Sequence, residues 1–144
     1  MHTLLIVDDE EIEHEGMAQF IPWDTYEMKV VGTARNGAEG LEKIAKYKPD
    51  LAIVDIKMPV MNGIEMIRKA KEQYPDMTFV VLSGYGDYEF TSQAMELGVR
   101  HYILKPCDEA KMIPVLNKAI AEMEETRAQN ARSEKVEAEA RLLK

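Results

Sequence analysis

The chain is 144 residues long, enough for one compact domain and too short for a second sizeable core. Eighteen Lys and Arg stand against 26 Asp and Glu, a formal charge of −8 with a pI near 4.9, so the molecule repels phosphate backbones and anionic lipid, and no direct nucleic-acid binding is expected. The single cysteine, Cys107, leaves no internal disulfide, His2, His14 and His101 form no zinc-spaced cluster, and apolar runs of four residues fall far short of the ~20 that a membrane helix needs.

Taken in chain order, short apolar runs alternate with segments of helical period. The first run, residues 4–7, has no charged leader before it and turns acidic at Asp8, so it reads as a buried strand and not as a signal peptide; a cytoplasmic location is expected. Ile12, Gly16 and Phe20 then recur at helical spacing, followed by a join over residues 20–27 that is longer than a minimal one. A second run at 29–32 leads through Asn36-Gly37 to a helix with Ala38, Leu41 and Ala45 on one side. The third run, 51–54, precedes a helix striped by Ile67, Ala70 and Tyr74; the fourth, 78–82, one striped by Phe90, Ala94 and Leu97; the fifth, 102–104, one striped by Ile113, Leu116, Ile120 and Met123. Several runs are apolar without alternation, as in strands covered on both faces. Five strand–helix pairs imply an α/β fold, a doubly wound five-stranded parallel sheet with right-handed crossovers and helices on both sides. Trp23 and the ten methionines are assigned to core and cover, and Cys107 to a small apolar role.

In such a sheet, ligands bind beyond the carboxyl ends of the strands, where strand order reverses. The first run is followed by Asp8, Asp9 and Glu10, the third by Asp55, the fourth by Ser83 and the fifth by Lys105; the second passes through Ala34 and Arg35 without such a group. Each has an ordinary explanation. Asp8 or Asp9 can cap the first helix with Glu11 completing a capping box, Asp55 can form a turn, Ser83 can be a loop residue and Lys105 can snorkel to water. Their conjunction says more: three carboxylates at one crevice repel one another unless a cation lies between them, and an incomplete all-oxygen cage suits Mg²⁺. An acidic cluster with a nearby lysine and hydroxyl is a phosphoryl site.

Four segments carry a specific likeness: Leu5-Ile6-Val7-Asp8-Asp9-Glu10-Glu11; the stretch from Pro49 to Gly63 that includes Val54-Asp55-Ile56-Lys57-Met58-Pro59; Leu82-Ser83-Gly84-Tyr85; and Gly98-Val99-Arg100-His101-Tyr102-Ile103-Leu104-Lys105-Pro106. In this order and spacing, over residues 4 to about 121, the chain resembles the receiver domain of bacterial two-component response regulators. The aromatic spacing of residues 83–90, with the long 20–27 join, resembles receivers that precede an AraC-type helix-turn-helix. The resemblance implies strand order 2-1-3-4-5. It implies that Asp55 accepts a phosphoryl group from a sensor histidine kinase, that Asp9, Asp55 and the Lys57 backbone carbonyl hold Mg²⁺ with Asp8 acting through a water, and that Lys105 and Ser83 meet the phosphoryl oxygens. It further implies a cis Lys105–Pro106 peptide, and output through Ser83 and an inward turn of Tyr102 that alters the face of the fourth helix, fifth strand and fifth helix. Without that resemblance, Tyr102 reads as a half-buried strand tyrosine with a wet hydroxyl. Gly84 is expected to leave room behind Ser83, and Lys57 with Tyr85 to crowd the path of attacking water and slow phosphoryl loss.

After Met123 the apolar stripe fails. Residues 1–124 are assigned to the receiver and 125–144 to a helical linker or tail, leading to an output domain that this chain lacks. As a helix the tail would project ~30 Å; it reads as a solvated, partly frayed linker, with a coiled-coil stalk as the alternative suggested by Val136, Ala140 and Leu143. A homodimer through the fourth helix–fifth strand–fifth helix face or through the tail is a further expectation. Rival readings are an aspartate-nucleophile phosphatase, which would carry a second acid where Lys57 stands, a nucleotide-binding fold, for which no G-x-G-x-x-G follows a strand, and a receiver-fold scaffold that is never phosphorylated, which would normally lose an acid or the lysine.

Overall fold

The computed structural model describes residues 1–142, with the side chains of 12–14 left aside. The strands are β1 (His2–Val7), β2 (Met28–Ala34), β3 (Leu51–Asp55), β4 (Thr78–Ser83) and β5 (His101–Leu104); the α-helices are α1 (Glu11–Phe20), α2 (Gly37–Tyr47), α3 (Gly63–Gln73), α4 (Tyr88–Glu96) and α5 (Glu109–Leu142). A short 3₁₀ turn, Trp23–Tyr26, occupies the long join after α1. All neighbouring strands are parallel, in the order β2-β1-β3-β4-β5.

Strand residues alternate between two cores, as the two-residue period of extended chain requires. Leu4, Ile6, Leu51, Ile53, Val80, Leu82 and Ile103 face α1 and α5 and join Met17, Trp23, Met112, Leu116 and Ile120. Leu5, Val7, Ala52, Val54, Phe79 and Val81 face α2, α3 and α4 and join Ile44, Ile64, Ile67 and Ala94. Because β1, β3 and β4 are covered on both faces, their sequences show unbroken apolar runs.

The helix stripes hold in α5, where Ile113, Leu116, Ile120 and Met123 are all buried, and in α3, where Ile67 and Ala70 are buried and Tyr74 packs beside them. In α4, Ala94 is buried, with Phe90 and Leu97 packed beside it. Two stripes need correction. In α1 the packing falls on Met17, Ala18 and Ile21, and Phe20 is 83% exposed; the side chain of Ile12 lies outside the described residues. In α2, Leu41 packs against the core as expected, but Gly37, Gly40 and Ile44 are the buried positions and Ala45 is exposed. A Cβ on Gly40 would come within 2.9 Å of Met66, so α2 approaches α3 through a glycine surface that a hydrophobic pattern passes over. Asn36 and Asn62 cap α2 and α3 by accepting the Glu39 and Glu65 amides, each at 2.9 Å.

Beyond the core α5 runs on as exposed helix to Leu142. Its departure from the body is tied at the amino edge of the sheet: Arg127 meets Asp50 at 3.2 Å, and His2 meets Glu124 at 2.8 Å. Val136 and Ala140 point to solvent, and Leu143 lies outside the described residues. No described helix is long and apolar enough to cross a membrane.

Candidate functional site

Strand register puts the charged residues together. Val7 pairs with Val54, so the next residues, Asp8 and Asp55, leave adjacent strands side by side, each in phase with the residues that face α1 and α5. Ser83 pairs with Leu104 and its carbonyl accepts the Lys105 amide at 2.7 Å, which sets Lys105 one step further along the same edge. The Lys105–Pro106 peptide is cis. Ser83 and Tyr102 have the opposite phase, that of the residues facing α2, α3 and α4. Acid and lysine therefore leave the sheet on one side, and serine and tyrosine on the other.

Carboxylate oxygens of Asp8, Asp9 and Asp55 lie within 4.8 Å of one another. Asp8 and Asp55 are buried and Asp9 is exposed. The Lys105 ammonium is 2.8 Å from Asp55 Oδ2 and 3.9 Å from Asp8 Oδ2. Asp8 Oδ1 accepts the Glu10 amide at 2.9 Å, and Asp55 Oδ1 accepts the Lys57 amide at 3.3 Å. Asp8 thus does not cap α1, whose N-cap is Glu10 with no side-chain bond. Burial pushes the Asp55 carboxyl above its ordinary value and the Asp9 charge adds to this, against the opposing pull of Lys105 and the Lys57 amide. A cluster of three hard oxygen donors that leaves one acid disfavoured as an anion is a fitting seat for a small divalent cation. The outer carboxylate is open to solvent, which suits a metal that keeps part of its water shell.

Three side chains stand differently from the sequence reading. The Lys57 ammonium meets Asp87 at 2.8 Å and lies 5.9 Å from the centre of the Phe90 ring, while Tyr85 is 85% exposed. The long cation is held by an ion pair to Asp87 and the Tyr85 ring stands in solvent. The Tyr102 hydroxyl donates to the Val99 carbonyl at 2.9 Å, and burial raises its pKa. A Cβ at Gly84 would meet Asp87 Oδ2 at 3.6 Å, an ordinary contact.

The residue that sequence reasoning missed is Asp87. It stands at the N-cap of α4 without capping it; its carboxylate turns back to accept the Gly84 amide at 2.7 Å. Its position four residues after Ser83 and immediately before α4 was a signal, but one that reads as an ordinary cap.

Sequence comparison matches residues 4–117 to the response regulator receiver domain. The chain belongs to this family. The transcriptional regulatory protein YesN of Bacillus subtilis is 44% identical over 123 residues, covering 85% of this chain and 33% of YesN, so the receiver spans about a third of that relative. Among solved structures, the REC domain of AraT, a response regulator from Geobacillus stearothermophilus, superposes with a TM-score of 0.74 at 33% identity, over 90% of this chain and 98% of that one. A two-component transcriptional regulator AraC from Clostridium phytofermentans gives 0.81 at 28% identity, over 89% and 99%. This receiver is therefore similar to those of transcriptional regulators, including AraC-type ones.

Proposed function

We propose that this receiver is a phosphorylation-driven switch. A carboxylate oxygen of Asp55 bonds to phosphorus as the P–N bond of a sensor kinase phosphohistidine, protonated on its other ring nitrogen, breaks, leaving neutral imidazole and an aspartyl phosphate. Asp9, Asp55 and the backbone carbonyl of Lys57 would hold Mg²⁺, with Asp8 supporting it through a water. The metal would neutralise charge on the transferring group. Lys105 offers a point charge to the same oxygens and Ser83 a hydroxyl donor. Tyr102 would then change its packing, altering the α4–β5–α5 face. That face would control an output domain, for which residues 125–144 serve as the linker after a receiver of residues 1–124, and it or the tail would support a homodimer. DNA would be reached only through the output domain. The cytoplasmic location expected above fits a kinase partner.

The observation that carries this reading is the convergence of Asp8, Asp9 and Asp55 within 4.8 Å, with the Lys105 ammonium 2.8 Å from Asp55. Incubation with Mg²⁺ and acetyl phosphate should give one phosphoryl adduct by intact mass. The adduct should be absent for Asp55→Asn and without Mg²⁺. An unmodified wild-type chain under these conditions would return the scaffold reading.

A further inference from the structure

Lys57 and Asp87 belong to different loops. Lys57 follows β3, two residues past Asp55, and its amide already faces Asp55 Oδ1 at 3.3 Å. Asp87 closes the loop that follows Ser83, the last residue of β4. Between them the ammonium and Asp87 Oδ1 are 2.8 Å apart, and Oδ1 has no other hydrogen-bonding partner among the described residues. Asp87 is only 6% exposed, whereas Lys57 is mostly in solvent. The other oxygen, Oδ2, holds the amide of Gly84, the residue directly after Ser83. A chain of contacts thus runs from the acid at the end of β3, through Lys57 and Asp87, to the backbone beside Ser83.

We propose that Asp87 is a positioning residue that holds Lys57 in the resting state, and that a phosphoryl group on Asp55 competes for the same ammonium. The inference rests on the phosphoryl reading of the site. A phosphoryl group brings −1.5 to −2 charges and three acceptor oxygens, against one charge on Asp87. A lysine side chain is long and flexible enough to serve either anion from one backbone position. When Lys57 leaves, Asp87 keeps a buried charge with one amide for support, an arrangement that is costly until the carboxylate turns to water. Turning it out releases Gly84, and the loop carrying Ser83 becomes free to move. The ion pair is therefore the point at which charge arriving at Asp55 is converted into release of the β4–α4 loop.

Two measurements test this. In the resting protein, Lys57→Met should speed hydrogen exchange of the Gly84 amide about two- to fivefold, the size expected when a partly exposed ion pair is lost; unchanged exchange overturns the latch. Asp87→Asn keeps an acceptor for Gly84 but frees Lys57. It should tighten binding of beryllofluoride, a phosphoryl mimic, in Mg²⁺ by a similar factor, read by calorimetric titration. In a Lys57→Met background the same Asp87→Asn change should have no effect. Equal effects in both backgrounds overturn the competition alone. Failure of the wild type to take up beryllofluoride overturns the phosphoryl reading and the competition built on it, while the exchange result still decides the latch.

Discussion

Asp55 is held at an unfavourable place for an anion. Its carboxyl is raised above 3.8 by burial first and by Asp9, with Lys105 and the Lys57 amide opposing. A raised folded value means the native state binds the proton more tightly than the unfolded chain does. The group then favours folding at acid pH, and this contribution is lost as pH rises from 3.8 through the folded value. In metal-free buffer at neutral pH, Asp55→Asn should therefore unfold at higher denaturant than wild type, by about 1 kcal/mol. The gap should close as pH falls toward 4. Chemical denaturation at several pH values checks this, and a less stable Asp55→Asn at neutral pH would contradict it. Asp50 works in the opposite sense. Burial alone would raise it, but the Thr3 amide and Arg127 outweigh that and leave it lowered, so its contribution is present above 3.8 and disappears as pH drops through the lower folded value.

At the scale of elements, the joint after β3 is the most constrained. The Gly63 amide donates to the Ile56 carbonyl at 3.1 Å, and a Cβ there would lie 2.6 Å from the Asp55 carbonyl oxygen and 3.0 Å from Ile56 Cα. These are backbone atoms of the segment that carries Asp55, so relief requires moving α3 or the site. Gly63→Ala should cost about 1–3 kcal/mol, the usual range for overpacking, despite the better helix propensity of alanine. A thermal melt gives the measurement. Asn62 caps α3 by accepting the Glu65 amide. The close approach to β3 was not legible, because it depends on how α3 lies against a strand eight residues away in sequence. The same reason hid Gly40 from the α2 stripe and moved Phe20 of α1 into solvent.

The whole molecule is an α/β body with a long exposed helix leaving it. Since residues 128–142 are exposed, their loss removes little buried surface. A chain ending at residue 128 should keep its folding stability within about 0.5 kcal/mol, while its helical circular dichroism falls. Arg127→Ala in the full chain breaks the tie to Asp50; with both groups partly in water the loss should be at most about 1 kcal/mol. A larger effect of the truncation than of Arg127→Ala would show that the distal helix stabilises the body.

What residues 1–124 specify by themselves is local and periodic: which segments are strands and helices, that the central strands are buried on both faces, and that acids, a serine and a lysine stand at strand ends. Parallel pairing turns that list into a site, because register carries Asp8 beside Asp55 and Lys105 onto the same side. The partners of long or turning side chains are decided only by tertiary structure. Lys57 goes to Asp87, the Tyr102 hydroxyl goes to the Val99 carbonyl, and the Asp87 carboxylate folds back on Gly84. The physical reason is reach: periodicity constrains where a Cβ points, but a charge several bonds away settles on whichever opposite charge or open donor the fold brings near.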